Sequence, residues 1–242
     1  MNIYEAKTMG ERINGNSYVG RGIVIGMAPD GRPAIAYFIM GRSANSRNRV
    51  FVKRGSDLMI YPFQADKVQD PSLIIYSPVR QYANNLIVTN GNQTDTVYDF
   101  LKQGKTFAQA LDTREFEPDA PNFTPRISGL VGPDGGYRLS ILKSAGGDPA
   151  CCQRFFFEYD TPAAGTGHFL STYRGDGDPL PSFAGEPIPV AIAAPTADAL
   201  AQALWASLNG DNKVSLFVRY ISLADGTSRT VIRNKHTEEA PL

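Results

Sequence analysis

Hydrophobic and β-branched residues occur in short runs separated by Gly, Pro, Asn and Asp, a pattern typical of strands joined by turns. The first two runs, 18–27 and 33–40, flank Ala28-Pro29-Asp30-Gly31, where Pro and Gly favour a tight reversal. These runs are predicted to form a β-hairpin. The same pattern predicts further strands at 58–63, 72–79, 86–89, 126–131, 137–143, 154–159, 168–173, 213–221 and 228–233.

Three stretches have the spacing and the terminal residues of helices. The residues that can begin them are Thr94, Thr106 and Thr196. The first two helices are predicted to reach Gly104 and Leu111, and the third buries Leu200, Leu204 and Leu208 at i, i+4 spacing. Many strands with a few helices between them predict an α+β fold in which two sheets pack face to face with helices outside.

No repeat or linker divides the chain, so residues 1–242 are predicted to form a single domain. Its ends are read as an N-terminal lead, 1–15, and a polar tail, 235–242. The 24 basic and 24 acidic side chains cancel, so we expect neither nucleic acid nor a membrane as a partner, and any anion must be held by a local cluster. A run of about 18 apolar residues is absent, and a cytoplasmic location is expected.

The chain has two cysteines, Cys151 and Cys152, and their adjacency disfavours a disulfide and a zinc site. They are predicted to be ordinary thiols. A catalytic thiol is the less favoured alternative, because neither histidine is close in sequence. The usual hydrolase elbow, phosphate-binding loop, dinucleotide fingerprint and metal-ligand spacing do not occur, so no metal or organic cofactor is expected.

The segment 41–49 follows the predicted hairpin and is rich in arginine. Its three arginines, Arg42, Arg47 and Arg49, with small residues such as Ser43 between them, can bind a phosphate through guanidinium and backbone hydrogen bonds. A solvated basic loop is the alternative interpretation.

Two further segments combine polar residues with a restrained backbone. Asn90 and Asn92 lie between a strand and a helix N-terminus, where an anion is favoured and amides can contact a ligand; an ordinary capped turn is the alternative. The proline-bounded segment 115–126 contains Glu117 and Arg126 and can form the wall of an active site, although acidic turns of this kind are common on surfaces.

His168 is the one candidate for an imidazole base, because the second histidine, His236, lies in the polar tail. A structural histidine at the start of a strand is the alternative. The irregular segment 181–187 either covers a site or crosses a sheet edge.

Taken together and in this order, several motifs resemble the archaeal-type IMP cyclohydrolases over residues 18–189. They are Tyr18-Val19-Gly20-Arg21-Gly22, the hairpin that contains Tyr37, Gly41-Arg42-Ser43 through Arg47, Val88-Thr89-Asn90-Gly91 with Thr94-Asp95, Glu117-Pro118-Asp119, Thr124-Pro125-Arg126-Ile127, and Gly167-His168-Phe169-Leu170-Ser171-Thr172-Tyr173. The sequence departs from the compact archaeal pattern in its N-terminal lead and around 64–70. These additions leave room for a shifted substrate.

The resemblance implies a four-layer αββα sandwich of two mainly antiparallel sheets, an Ntn-hydrolase-like fold in which the N-terminal residue is not a nucleophile. It also implies a purine ribotide substrate, whose cyclisation to inosine monophosphate releases water. By the same resemblance, Glu117 orients or deprotonates the carboxamide, and Tyr76 or Arg126 donates to the formyl oxygen. The remaining site residues are those expected to bind substrate or phosphate: Arg21, Arg42, Ser43, Arg47, Asn90, Asn92 and His168.

Two other functions stay open at this point. One is an amide hydrolase with the same fold, and the other is a ribotide-binding regulatory protein without catalysis. A homo-oligomer is expected from exposed sheet edges and from the family precedent.

Overall fold

Strands dominate the computed structural model, which describes residues 6–67 and 75–236. The strands in these ranges are β1 (Lys7–Thr8), β2 (Arg21–Met27), β3 (Pro33–Met40), β4 (Val50–Arg54), β5 (Asp57–Tyr61), β6 (Val79–Tyr82), β7 (Asn85–Thr89), β8 (Arg126–Val131), β9 (Tyr137–Ala145), β10 (Asp148–Tyr159), β11 (Thr166–Ser171), β12 (Ile188–Ala191), β13 (Lys213–Ile221) and β14 (Ser228–Asn234). The helices are α1 (Met9–Ile13), α2 (Ala44–Arg47), α3 (Gln93–Lys102), α4 (Phe107–Asp112) and α5 (Ala197–Ser207), with a 3₁₀ turn at Ala65–Lys67.

The strands form two seven-stranded sheets. Sheet I has the order β1-β12-β11-β2-β3-β13-β14, and sheet II has the order β10-β9-β8-β7-β6-β5-β4. All neighbouring pairs are antiparallel except β1 and β12. The predicted α+β class with two mainly antiparallel sheets is therefore confirmed.

The hydrophobic core formed by the described residues is divided into three clusters. The cluster between the sheets includes Ile23, Ile35 and Tyr37 from sheet I and Val88, Ile127 and Leu139 from sheet II. A second cluster joins sheet I to α1 and α5 through residues such as Phe38, Met9 and Leu204. The third joins sheet II to α3 and α4 through residues such as Ile87, Val97 and Leu111. Alternate residues of β3 enter the first two clusters, so this strand is buried throughout and its sequence is almost continuously apolar.

Two local predictions differ from the structure. The first difference concerns the strand predicted at 72–79. Residues 72–74 lie outside the described residues. Residues 75–77 are not in a strand, and β6 begins at Val79. Pro78 has no N–H to donate, and the segment is instead held by bonds from Ile60 N to Tyr76 O (3.1 Å) and from Thr89 N to Pro78 O (2.8 Å). Thr94 is not the helix cap, because α3 has Asn92 at its N-cap.

The sequence patterns did not predict β1, α1, α2, β4 or β12. The described part of the N-terminal lead is folded: Thr8 and Glu11 form a capping box on α1, and β1 pairs with β12. No helix among residues 6–67 and 75–236 has the length and apolar character needed to cross a membrane. The single-domain organisation stays a prediction.

Candidate active site

A cavity of about 450 Å³ lies where segments of both sheets meet. Its lining contains all three predicted catalytic residues together with Arg49, the last arginine of the segment 41–49. The lining residues are Arg21, Arg49, Tyr76, Asn90, Gly91, Asn92, Glu117, Pro118, Asp119 and Arg126. Arg21 begins β2, Arg49 immediately precedes β4, Asn90 follows β7, and Arg126 begins β8. Chain segments far apart in sequence therefore supply one site.

Asn90 holds the backbone of this site in place. Its Nδ2 atom donates to the carbonyl of Pro125 at 2.9 Å, and its Oδ1 atom accepts from Ile127 N and Gln93 Nε2, both at 2.9 Å. These bonds join the end of β7 to the start of β8 and satisfy most of the amide's hydrogen-bonding capacity. Asn90 thus positions the backbone of the site and lines the cavity, and its predicted contact with a ligand stays a prediction.

Tyr76 and Tyr37 form a pair of phenols beside the cavity. The Tyr76 hydroxyl donates to the carbonyl of Asn90 at 2.7 Å, and the two phenolic oxygens are 3.4 Å apart. Burial, followed by the neighbouring Tyr76, raises the pKa of Tyr37 well above its usual value. Because the one hydroxyl proton of Tyr76 is directed to the Asn90 carbonyl, Tyr37 is the donor of the pair. Tyr37 was not predicted as a site residue, although a hydroxyl between Ile35 and Ile39 on an apolar strand face is a signal for one.

Arg21 and Arg49 bring two positive charges into the cavity. The Nε atoms of both are buried and have no hydrogen-bond partner within residues 6–67 and 75–236. Burial, and then repulsion from Arg21, lowers the pKa of Arg49. Burial also disfavours the charge of Arg21, but the phenols of Tyr18 and Tyr76 and the carboxylate of Glu117 outweigh it, so the pKa of Arg21 is raised. Both guanidinium groups can donate to an oxygen of a ligand.

Two carboxylates line the site, and Glu117 is the one that faces Arg126, whereas Asp119 accepts hydrogen bonds from Thr124. Its Oε1 atom lies 3.7 Å from Nη1 of Arg126, and that nitrogen also donates to Gln93 Oε1 at 2.8 Å. The backbone of Glu117 is fixed by a bond from its N–H to the Thr124 carbonyl at 2.9 Å. Its side chain is 30% exposed, so it can exchange protons with a ligand in the cavity.

Gly91 allows this arrangement because it has no side chain. A Cβ atom at this position would lie 2.5 Å from Arg126 Nη1 and 2.6 Å from Gln93 Oε1. Real Cβ atoms do not approach other atoms so closely, and both neighbours are held by their mutual hydrogen bond. A glycine is therefore required where the backbone passes the guanidinium.

Arg42, Ser43 and Arg47 are not among the lining residues, and each has a protein partner. Arg42 bonds to Asp176 Oδ1 at 2.6 Å and to the carbonyl of Gly177 at 2.9 Å. Ser43 caps α2. Arg47 bonds to the carbonyl of Gly41 at 3.0 Å and to Asn212 Oδ1 at 2.8 Å. The structure brings only Arg49 of this basic segment to the cavity.

His168 also lies away from the cavity. His168 pairs with Ile25 of β2 in sheet I. Ile25 is four residues along β2 from Arg21, a distance of about 13 Å in a strand. The Nδ1 atom of His168 is 2.6 Å from the Tyr137 hydroxyl, and its ring stacks on Tyr159 at 3.9 Å. Burial lowers the pKa of His168. Asn92, in contrast, does line the cavity and accepts a hydrogen bond from Arg114.

A second cavity, of about 320 Å³, lies elsewhere and is lined by Pro33, Leu86, Arg219 and Leu223 among others. None of the site residues predicted from the sequence lines it. The first cavity is therefore the better candidate for chemistry, because it combines guanidinium groups, a carboxylate and phenols.

Comparison with known proteins gives the chain a class. Residues 18–226 match the model of the family described as IMP cyclohydrolase-like protein, so the chain belongs to this family. The resemblance noted in the sequence is confirmed.

Individual relatives carry the same name. The chain is 30% identical to the IMP cyclohydrolase of Methanopyrus kandleri over 160 residues, which are 64% of this chain and 75% of that protein. It is 30% identical to the IMP cyclohydrolase of Methanococcus maripaludis over 131 residues, and 27% identical to that of Halobacterium salinarum over 132 residues. The alignments span 64% and 63% of these two relatives, slightly less than two thirds.

Proposed function

We propose that this protein is an IMP cyclohydrolase, which closes the ring of 5-formamidoimidazole-4-carboxamide ribotide to give inosine monophosphate and water. The observation that carries the proposal is the cavity itself. The chain belongs to the IMP cyclohydrolase-like family, and its cavity brings together Glu117, Arg126 and Tyr76. Two further arginines line the cavity, and their Nε atoms have no hydrogen-bond partner among the described residues.

The reaction needs only positioning and proton transfer. The carboxamide nitrogen attacks the formyl carbon; one of its protons is lost and the formyl oxygen gains one. The formamide nitrogen then loses its proton, and the hydroxyl leaves as water. Because both reacting groups belong to one molecule, holding them in contact removes much of the barrier.

Glu117 is the proposed base for the carboxamide nitrogen. Amide nitrogen is a weak nucleophile, so removal of its proton during attack is the step that most needs help. The guanidinium of Arg126 lies 3.7 Å from this carboxylate, and its positive charge attracts the carboxylate without a direct hydrogen bond.

The formyl oxygen requires donors. Tyr76 is one candidate: its hydroxyl proton, directed to the Asn90 carbonyl in the structure, turns to the formyl oxygen when the substrate binds, and Tyr37 donates to the Tyr76 oxygen, 3.4 Å away. Arg126 is the other. Arg21 and Arg49 add fixed positive charge to the cavity, which stabilises negative charge as it develops on this oxygen.

The four-layer αββα arrangement of the Ntn-hydrolase-like fold belongs to the same proposal. It is supported by the clusters that join α1 and α5 to sheet I and α3 and α4 to sheet II. A cytoplasmic location is proposed because a phosphorylated substrate does not cross membranes unaided. A purine ribotide is the proposed partner; the absence of a nucleic-acid partner and a homo-oligomer stay predictions.

Product analysis tests the function. The purified protein is incubated with the formylated ribotide, and the products are separated and identified by mass. Inosine monophosphate is the expected product. Formate with the deformylated amine would identify an amide hydrolase instead, and binding without any product would identify a regulatory protein; either result contradicts the proposal.

A further inference from the structure

The second cavity, of about 320 Å³, lies at the end of the sheets opposite the candidate active site. Leu86, near the start of β7, and Val131, at the end of β8, line it. The opposite ends of the same strands lead to Asn90 and Arg126, which line the active-site cavity. Because β8 has six residues, its two ends are about 17 Å apart. We call this second cavity the distal cavity.

A buried arginine lines the distal cavity. Arg219 lies on β13 and is 2% exposed. Its Nε donates to Thr230 Oγ1 at 2.9 Å and its Nη2 to the carbonyl of Ser56 at 2.8 Å, while its Cζ lies 5.1 Å from the centre of the Phe217 ring. Nη1 makes no hydrogen bond with another residue in 6–67 and 75–236. The guanidinium is therefore held in place, and the two N–H groups of Nη1 are available to a ligand.

The charge of Arg219 is not paired with a carboxylate. Arg219 takes part in no salt bridge within the described ranges. Burial lowers its pKa, and the charge of Asp57 opposes this effect from a distance. Asp57 itself lies 3.6 Å from Nε of Arg80 and accepts a hydrogen bond from Gln81 N at 3.0 Å. A buried charge without a paired counter-ion is costly, and an anion in the distal cavity offsets this cost.

The base of the distal cavity is apolar. Leu86, Val131 and Pro33 line it and are buried, and the exposed side chain of Leu223 extends this apolar wall to the opening. Surfaces of this kind bind the hydrocarbon part of a small molecule, and a few polar groups then fix its orientation.

The polar groups of the lining favour a ligand with a single negative charge. Arg219 is the one cation, and Asp225 is the one carboxylate. Asp225 is exposed and accepts hydrogen bonds from the backbone N–H and the hydroxyl of Thr227 in its own turn, so it is not a partner for Arg219. The other polar side chains of the lining are neutral amides and hydroxyls: Gln81, Asn84, Asn85, Ser222 and Ser228. A phosphate dianion has too few cations here, whereas a monoanion matches one guanidinium.

We infer that the distal cavity binds a small organic monocarboxylate, whose carboxylate accepts hydrogen bonds from Nη1 of Arg219 and whose apolar body packs on Leu86 and Val131. Guanidinium and carboxylate groups are complementary in charge and in planar geometry. The cavity volume is within the range of small-molecule sites. The inference goes beyond ring closure and is independent of it, because the two cavities share no lining residue.

Cinnamate and its neutral counterpart cinnamamide are suitable probes, because they have nearly the same shape and differ in charge. Titration of the ¹⁵N-labelled protein, followed by ¹⁵N–¹H NMR, measures Kd for each. The backbone amides of Gly132 and Gly226 report on the distal cavity, and that of Gly91 reports on the active site.

Three variants accompany the wild type. R219Q removes the charge, and R219K keeps a charge without the planar guanidinium. R138Q is the control, because Arg138 pairs with Glu158 and lines neither cavity. Thermal unfolding is measured first, since Arg219 also bonds to Thr230 and Ser56. If R219Q does not fold, the comparison of cinnamate with cinnamamide in the wild type decides alone.

Cinnamate is expected to bind the wild type with a Kd of about 5 mM or less, which is usual for a ligand of this size. The signals of Gly132 and Gly226 move, and that of Gly91 does not. Cinnamamide binds at least about 10-fold more weakly, and R219Q weakens cinnamate by about 10-fold or more, the value of a charge-assisted hydrogen bond. R219K loses less affinity than R219Q, and R138Q matches the wild type.

Equal affinity of the wild type for cinnamate and cinnamamide would overturn the inference. Cinnamate that shows no saturable binding, or that moves the signal of Gly91 alone, would do the same. A folded R219Q protein with wild-type affinity for cinnamate would assign Arg219 a purely structural role. None of these outcomes bears on ring closure, which product analysis tests separately.

Discussion

Nη1 of Arg126 lies 3.7 Å from Oε1 of Glu117, while the same nitrogen donates to the amide oxygen of Gln93 at 2.8 Å. The longer distance is outside the range of a direct hydrogen bond. Arg126 is thus held by a neutral amide and stabilises the nearby carboxylate by charge alone. The lone pairs of Glu117 remain accessible to a ligand, as expected for a base.

Replacing Glu117 with Gln is expected to lower kcat by about 10²-fold to 10⁴-fold, the usual contribution of a positioned base. The Kd for inosine monophosphate is expected to change far less, because the amide occupies the same volume. Steady-state kinetics and calorimetry measure the two quantities, with E158Q as the control because Glu158 is exposed and pairs with Arg138. Equal losses in kcat and in binding would argue against a chemical role.

Replacing Tyr76 with Phe is expected to lower kcat by about 10-fold or more, because the donor proposed for the formyl oxygen is lost. The variant also loses the bond to the Asn90 carbonyl, so the free energy of unfolding is expected to fall by about 1 kcal/mol. Y61F is the matched control, since Tyr61 lies on β5 outside the cavity lining. A Y76F enzyme with the kcat of Y61F would exclude Tyr76 as a donor.

Replacing Gly91 with Ala is expected to displace Arg126 and Gln93, because the new Cβ atom would lie about 2.5 Å from both. Overpacking of this kind costs about 1–3 kcal/mol of unfolding free energy, and we expect kcat/KM to fall with it. Gly210 has open space around its Cβ position, so G210A is expected to retain both properties. The two variants are compared by thermal unfolding and by steady-state kinetics. Wild-type kinetics in G91A would contradict the expected displacement of Arg126 and Gln93.

The partly buried position of His168 predicts that the free energy of unfolding depends on pH. Burial lowers its pKa from 6.5 in the folded state, and Tyr137, whose own pKa is raised by burial, donates to its unprotonated Nδ1. Below pH 6.5 the unfolded state therefore binds more protons than the folded state, so stability is full above that pH and is lost as the pH falls towards the folded pKa.

Chemical denaturation between pH 7.5 and 5.5 measures this loss. The wild type is expected to lose more unfolding free energy over this range than H168Q, whose side chain does not titrate. H236Q serves as the control at the second histidine. Parallel curves for the wild type and H168Q would show that His168 does not contribute to the pH dependence.

The strand pattern predicted the two sheets. The order of the motifs predicted several of the residues that line the cavity. Six predicted residues line the cavity together, although they are spread over more than a hundred positions: Arg21, Tyr76, Asn90, Asn92, Glu117 and Arg126. Their motifs are local, each at the end of a strand or in a restrained turn, and such features are readable from neighbouring residues.

The choice among the arginines was not predictable in this way. Whether a guanidinium is available depends on partners distant in sequence: Asp176 lies 134 positions from Arg42, and Asn212 lies 165 positions from Arg47. Arg49 was read as part of a loop because the short strand β4, which follows it, was missed.

Ring closure by the purified protein is the central claim, and a spectroscopic assay of inosine monophosphate formation from the formylated ribotide tests it most directly. We predict steady turnover by the wild type that persists with a chelator present, since the proposed steps need only proton transfer and fixed charge, and a large loss of rate in E117Q. Ribotide bound without conversion to inosine monophosphate, or release of formate in its place, would contradict the account.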